Sequence, residues 1–472
     1  MSNEIQKLPL REKIGYGFGD LASVLFWQTI MVYLLYFYTD VFGLTAKAAG
    51  WMFIVSRLSD ALFDVVIGMM ADRTKSRWGK FRPYILWGAV PLAVSAVMAF
   101  STPGFGETGK LIYAYVTFIA FMFLYSTVNI PYTALLGVIS GDPVERADAA
   151  TSKFIGAFSA GIIVSATALP LAKYFGEGND AKGWHMTMMI YAVAAVVFLL
   201  VTFLSARERV QPIAKEKTNV ARDLGDIVQN VPWILLFVAT ILFILFVCIR
   251  LNVTTHYFKY YVGTQTVTLF GTTHKYGFEV LASAFNTVGQ VLSLVGTALV
   301  PLFARLLGRK KAAIILFFTA LICTGSFYFF RPEDLVLIFV FQAIGSLAGG
   351  PISALFWIMY ADTADYSEWK TGRRATGLVF SASIMSNKIG WAVGSMVAAF
   401  ILARTGFVAN VAQNINVLNG LKAMMSIIPV AVGAVALMVL VFFYKLDEET
   451  MAKVKAALDE RRKASEQPAT TT

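Results

Sequence analysis

Charge is what this chain has least of. Of its 472 residues, 15% are charged and 57% are apolar, whereas an ordinary soluble domain carries about 25% charged residues. A soluble chain of this length would form two or three domains, each with a polar surface, and the charge to cover them is missing. The mean hydropathy of +0.65 leads to the same conclusion: lipid is the solvent for most of this protein. Cysteine is nearly absent. Cys248 and Cys323 each lie inside an apolar run, so neither a disulfide framework nor a CxxC metal site is supported. The three histidines, His185, His256 and His274, are scattered near outer loops. No GxxxxGK[ST] loop occurs, hence no ATP motor. HExxH and GxSxG are also missing, and YGFGD lacks the strand–turn–helix setting of a dinucleotide site. No enzyme and no cofactor are expected. No filter motif points to a channel. The N-terminal MSNEIQKLPLREK is polar and does not read as a signal peptide.

Long apolar runs take the place of these features. A hydrocarbon core about 30 Å thick needs about 20 apolar residues per helix. Twelve such stretches are legible, at 17–43, 46–71, 82–101, 110–139, 150–174, 185–206, 232–262, 276–304, 311–330, 335–361, 375–404 and 421–445. The net charge is +11. Its lysines and arginines sit between the apolar runs, so they read as orientation signals and not as a nucleic-acid surface. DRTKSRWGKFRP holds Arg73, Lys75, Arg77, Lys80 and Arg82, whereas STPGFGETGK holds Lys110 alone. ARLLGRKKA and the segment with Lys370, Arg373 and Arg374 are basic as well. These loops, and both termini, are expected to face the cytoplasm.

The expected architecture is an all-α membrane protein with two six-helix bundles, residues 1–206 and 232–446. A charged linker at 207–231 separates them, and 447–472 forms a polar cytoplasmic tail with a short amphipathic segment. The basic loops after the second and eighth stretches lie about 230 residues apart, close to half the chain. Parallel repeats of six helices mark transporters built from two rocking halves.

An ionisable group at membrane depth costs several kcal/mol unless paired or hydrated, so each is a functional candidate. The second stretch reads SRLSDALFDVV. Arg57, Asp60 and Asp64 recur at i, i+3 and i+7, on one helical face. Two carboxylates one turn apart raise each other's proton affinity, and a nearby Arg opposes that. The set can take up a proton, coordinate a small cation with further oxygens, or clamp two helices. On the fourth stretch Tyr125, Asn129 and Thr133 recur every four residues beside Ser126, and Pro131 locally frees backbone carbonyls. Hydroxyls and amides beside aromatic rings suit a sugar, whose apolar face stacks on a ring. The same residues also serve as packing glue between helices. Asp20, with Val24 and Trp27 on its face, is a cavity carboxylate or a helix-end charge. Lys153 is a binding group or snorkels to the interface. Lys388, within SASIMSNKIGWAVG, is the deepest lone cation, and Ser283, Asn286, Gln290 and Ser293 form a polar stripe on the eighth stretch. Arg250 is a similar element of the seventh.

Several blocks resemble the glycoside–pentoside–hexuronide:cation symporter family of the major facilitator superfamily. They are YGFGD through YLLYFYTDVFGL, SRLSDALFDVVIGMMADRTKSRWGKFRPYILWG, NIPYTALLGVIS, ADTADYSEWKTGRRATG and SNKIGWAVG. The likeness runs in order along nearly the whole chain, and the second-helix block is its most specific part. The resemblance implies a coupling-cation site at Asp60 and Asp64, assisted by Ser126, with Arg57 and Lys388 nearby. It implies a sugar pocket at Tyr125, Asn129 and Lys153, to which Asp20, Trp27, Thr133, Asn286, Gln290 and Trp391 are added as candidates. The loops with Arg77, Lys80 and Arg82 and with Asp362, Asp365, Glu368 and Arg374 look like cytoplasmic gates. Departures are informative. A melibiose-type pocket has carboxylates where this chain has Val24 and Asn129, and a tryptophan where it has Thr133. Sodium-using members have Asn at the position of Phe63, which supplies no oxygen, so a proton is expected and sodium at Asp60 and Asp64 is the alternative.

The expected activity is import of a glycoside, pentoside or hexuronide by cation symport through alternating access, in the inner or plasma membrane, by a monomer. A lysolipid or amphiphile carrier, a drug–proton antiporter and a non-transporting membrane sensor are the rival readings.

Overall fold

Backbone groups in lipid must be bonded within their own segment, and the computed structural model is accordingly helical almost throughout. It describes residues 7–210, 230–269, 272–371 and 376–466. The first half contains α1 (Leu10–Tyr36), α2 (Ala46–Arg73), α3 (Arg82–Ala99), α4 (Glu107–Leu135), α5 (Pro143–Gly176) and α6 (Asp180–Ser205). The second contains α7 (Val231–His256), α8 (Phe278–Ala298), α9 (Val300–Leu307), α10 (Arg309–Ser326), α11 (Leu335–Thr371), α12 (Thr376–Arg404), α13 (Ile415–Met425), α14 (Ile427–Met438) and the tail helix α15 (Glu448–Glu466). Helices α1, α7 and α14 continue into π-helical turns, Phe37–Val41, Tyr257–Val262 and Val439–Phe443.

Ten of the described segments are long and apolar enough to cross a membrane. Two of the twelve stretches read from the sequence fall outside that set. Helix α2 carries Arg57, Asp60 and Asp64 in its middle, and the 18-residue α10 opens on Arg309, Lys310 and Lys311. Both are helices, but their charges set them apart from an ordinary apolar span. The boundaries also shift. Helix α5 begins at Pro143 and not near 150, because Asp142 caps it, accepting from the Val144 N–H at 2.9 Å, and Pro143 fits the first helical turn. Lys153 therefore lies almost three turns inside this helix. The stretch 276–304 is interrupted at Leu299 and the last stretch at Ser426. Pro301 and Pro429 explain both breaks, since proline has no N–H to offer the carbonyl four residues back. An exposed hairpin not foreseen from the sequence, Gln265–Leu269 against Thr272–Tyr276, follows α7.

The chain forms two compact units. One comprises residues 1–214, 251–290 and 395–421, and the other 215–250, 291–394 and 422–472. In the first, small residues let backbones touch, as membrane packing favours. A Cβ on Gly156 of α5 would overlap the Gly17 carbonyl of α1. In the second, Phe243, Phe246, Phe317 and Phe356 form an edge-to-face aromatic core. There Arg250 joins three helices, reaching Thr324 at 3.3 Å and Gln342 at 3.2 Å over the Phe327 ring.

Each unit repeats one detail at its basic turn. In the first, Gly79 (φ +106°) precedes α3, and the Glu208 carboxylate accepts from the N–H groups of Lys80, Phe81 and Arg82 at 2.8, 2.7 and 3.1 Å. In the second, Gly308 (φ +76°) precedes α10, and Glu448 accepts from the Arg309 N–H at 2.7 Å. A carboxylate after the last long apolar helix of each half thus caps the N-terminus of its third apolar stretch, where the helix dipole favours an anion. The positive φ and the carboxylate's closeness both require glycine at the turn.

Candidate functional site

Four of the five predicted cation residues, Arg57, Asp60, Asp64 and Ser126, lie in the first unit. Ser126 of α4 is buried, and its Oγ stands 3.0 Å from Asp60 Oδ1 and 2.9 Å from Asp64 Oδ1 of α2. Asp60 and Asp64 are one turn apart, so a single hydroxyl on the facing helix reaches both. Arg57 begins this face. Its guanidinium lies 4.8 Å from the centre of the Trp27 ring, with Nη2 3.5 Å from the Met31 sulfur. Trp27 in turn stacks on Tyr125 at 5.2 Å and 27°. Because Tyr125 precedes Ser126, the contacts Arg57–Trp27–Tyr125 lead back to the hydroxyl that meets the two carboxylates. No group of three or more His, Cys, Asp or Glu side chains suited to a metal occurs among the described residues.

Two turns before Trp27 on α1, Asp20 meets Lys153 of α5 at 4.0 Å. The ammonium also lies over the Tyr132 ring, 5.6 Å from its centre. Tyr132 is locked by a reciprocal pair with Tyr16. Each hydroxyl donates to the other residue's carbonyl, at 2.9 and 3.2 Å, with the rings stacked at 4.8 Å. Asn129 is half-buried one turn beyond Tyr125, and Thr133 is exposed.

Helix α8 brings part of its polar stripe to the same unit. Asn286 and Ser283 are buried, and Ser283 Oγ has no hydrogen-bond partner among the described residues. Gln28 Nε2 of α1 is in the same position. A buried donor or acceptor left unmatched costs about 1–3 kcal/mol, which a hydroxyl-rich ligand would relieve. Gln290 packs on Gly161, where a Cβ would stand 3.4 Å from Oε1. Lys388 and Trp391 belong to the second unit, on α12.

The predicted gate residues separate by role. Arg82 donates from Nη2 to the Phe203 carbonyl at 2.6 Å, while Arg77 stays exposed over Trp78. Lys80 contributes its backbone N–H to Glu208. Asp362 pairs with Arg309 at 2.5 Å, and Arg309 also holds Glu448 at 2.9 Å. Asp365 lies on α11 near this cluster in sequence, and Arg374 lies outside the described residues. Sequence reasoning passed over Glu12, whose buried carboxylate takes Arg209 at 2.6 and 2.7 Å. It also placed His256 among scattered histidines. In the structure His256 is fully buried beside Asp40, with Nε2 3.3 Å from Oδ2. Asp40 was detectable by the rule for intramembrane charges, but its place near the end of a stretch concealed it.

The family model described as MFS/sugar transport protein matches residues 15–448. The chain belongs to that family. Within it, the glycoside–pentoside–hexuronide:cation symporter resemblance holds, and the protein is a multi-pass membrane transporter and not an enzyme. The inner membrane symporter YicJ of Escherichia coli (strain K12) is 34% identical, with 99% of this chain and 98% of the relative covered. The isoprimeverose transporter of Lactiplantibacillus pentosus is 35% identical over 93% of this chain and 90% of its own length. Among solved structures, an inward-facing bacterial homologue of the human lysosomal transporter Spinster matches with a TM-score of 0.69 at 13% identity, covering 96% of this chain and 97% of that one. That likeness shows a shared fold.

Proposed function

We propose that this protein imports a neutral glycoside by symport with a proton. Twelve helices cross the membrane in two bundles, with the basic loops and both termini on the cytoplasmic side. The carrying observation is Ser126 between Asp60 and Asp64. A hydroxyl has one proton to donate, yet both carboxylates lie within bonding distance. Ser126 donates to one, and a proton bound on the other completes the second bond by donating back to Oγ. The proton-loaded pair is thus fully bonded without a metal. Sodium would need several further oxygens, and Phe63, whose ring packs edge-on against Phe123, supplies none.

The sugar lies against Trp27 and Tyr125, with Asn129, Asn286 and Gln290 serving its hydroxyls. Asp20 and Lys153 offset each other's charge, which favours a neutral sugar over a uronide. Names of relatives support the class: one is a putative glycoside/cation symporter and one an isoprimeverose transporter. Trp27 joins the two sites, since it touches both the sugar platform and Arg57. Coupling follows if the proton-loaded form binds sugar more tightly, and alternating access then carries both inward.

The test is substrate-induced alkalinisation. De-energised, lightly buffered cells expressing the protein receive a panel of neutral glycosides, pentosides and uronides. Alkalinisation with a neutral glycoside is expected. Asp64→Asn should abolish uphill uptake while retaining exchange. Uphill transport by that variant, or uptake driven by a sodium gradient without proton movement, would refute the assignment.

A further inference from the structure

A buried ionic cluster at the far end of α1 lies outside the proposed cation and sugar sites. Asp40 sits in the π-helical turn Phe37–Val41, and its carboxylate is fully buried. A buried carboxylate is stable only when paired and hydrogen-bonded. Its partners come from segments about 220 and 370 residues away in sequence. Lys259 donates to Oδ1 at 2.8 Å, and the Tyr260 hydroxyl donates to the same oxygen. Thr39 donates to Oδ2 at 2.7 Å, and His256 lies 3.3 Å from it. Asn410 closes the set. Its Nδ2 donates to the Asp40 carbonyl at 2.7 Å, its Oδ1 accepts from Lys259 at 2.7 Å, and its N–H donates to the Tyr260 hydroxyl at 2.8 Å. Asn410 does this from a left-handed backbone (φ +59°), a conformation that Asn tolerates better than most residues.

We propose that this cluster is the latch that closes the outer end of the transport path, with Asp40 as its keystone. The inference rests on the orientation and transport cycle proposed above. Three arguments carry it. First, the latch ties α1, from the first half of the chain, to α7 and the α12–α13 loop, from the second. Alternating access requires contacts between the halves at one end to break and re-form. Second, the ties are polar and charge-assisted. Such bonds are strong when dry, and water replaces them when the end opens, unlike an apolar seal. Third, two π-helical turns carry the key residues, Asp40 on one and Lys259 and Tyr260 on the other. A π turn holds one residue more than an α turn, so relaxing it re-aims every side chain beyond it, and such turns recur at functional sites. Lys173 and Glu279 add an ion pair between α5 and α8 at 2.9 Å. An aromatic layer lies against the latch. Tyr36 packs edge-on against His256, while Phe278 is 6.5 Å from Tyr36.

The test uses Ser283→Cys as a reporter in full-length protein with Cys248→Ala and Cys323→Ala. Ser283 is buried on α8, five residues past Phe278, or about 7.5 Å deeper at 1.5 Å per residue. Its rate of reaction with a membrane-impermeant thiol reagent, added outside intact cells, reads the opening of the outer end. Asp40→Asn removes the charge that holds Lys259 and is expected to raise that rate at least tenfold. Asn410→Ala leaves the Asp40–Lys259 pair intact and is expected to raise it about threefold. Should Asp40→Asn fail to reach the membrane, Asn410→Ala decides the matter. Rates within twofold of the parent in every variant that reaches the membrane overturn the latch. Acceleration seen only with reagent on the cytoplasmic side refutes the orientation, and acceleration in a protein that moves no sugar refutes the substrate reading while leaving the latch standing.

Discussion

The Ser126 bridge makes a quantitative prediction with a definite sign. When one proton is bound, Ser126 donates to one carboxylate and accepts from the other, so both contacts of 3.0 and 2.9 Å are hydrogen bonds. When no proton is bound, it satisfies only one. The hydroxyl therefore favours the loaded form by about one hydrogen bond, roughly 1 kcal/mol, or five- to tenfold in equilibrium constant. Ser126→Ala removes this preference. The half-saturating proton concentration for sugar uptake should rise roughly five- to tenfold. The midpoint of the pH profile accordingly falls by about 0.7–1 unit, because weaker proton binding demands more protons. Ser126→Thr retains the hydroxyl and should stay within about 0.3 unit of the parent. Initial uptake rates measured across pH in proteoliposomes at saturating sugar provide the assay. A midpoint unchanged in Ser126→Ala, with the protein folded and binding sugar, would refute the bridge as a proton site.

Trp27→Ala removes both the Arg57 contact and the Tyr125 stack and should weaken sugar binding more than tenfold, whereas Trp27→Phe keeps a ring and should lose less than threefold in a binding titration. Gly156→Ala forces a Cβ into the Gly17 carbonyl and should destabilise the protein by about 1–3 kcal/mol, read as a clear fall in Tm in detergent; Gly68→Ala, with nothing within 4 Å, should leave it unchanged or slightly higher. The Arg309 side chain holds the Glu448 carboxyl below its ordinary value of 4.5. Glu448 then stabilises docking of α15 above that value, and the contribution is lost as pH falls through the lowered one. Since the side chain is half-exposed, the effect should stay below about 1 kcal/mol. Protection factors in α15, corrected for the intrinsic pH dependence of exchange, should fall on acidification from about pH 5 to about pH 3 in the parent and much less in Glu448→Gln, which has already lost the contact.

Much of the membrane architecture was legible because the underlying rule is simple. Lipid admits only apolar, self-bonded segments, so α1, α4, α6 and α7 announce themselves by hydropathy alone. Spacing alone also put Asp60 and Asp64 on one face, since helical periodicity is local. Helix ends were less legible. The start of α5 depends on Asp142 and Pro143, a polar cap outside the apolar run, and the break before α14 on one proline. The hairpin after α7 was missed because two five-residue segments, QTVTL and TTHKY, between two long spans look like any loop.

Composition and periodicity by themselves determined that this is a helical membrane protein, and the order of its motifs determined its family. Charge in the loops and charge within the spans are properties of single segments, so one dimension suffices to read them. Tertiary structure alone decided the partners. That Ser126 reaches both aspartates, that Trp27 meets Arg57 and Tyr125, that Asp20 finds Lys153 and that Asp40 gathers His256, Lys259, Tyr260 and Asn410 are facts about helices separated by tens to hundreds of residues. No periodicity within one helix encodes which neighbour it faces. A buried charge reveals in the sequence only that some partner must exist, and packing chooses which one.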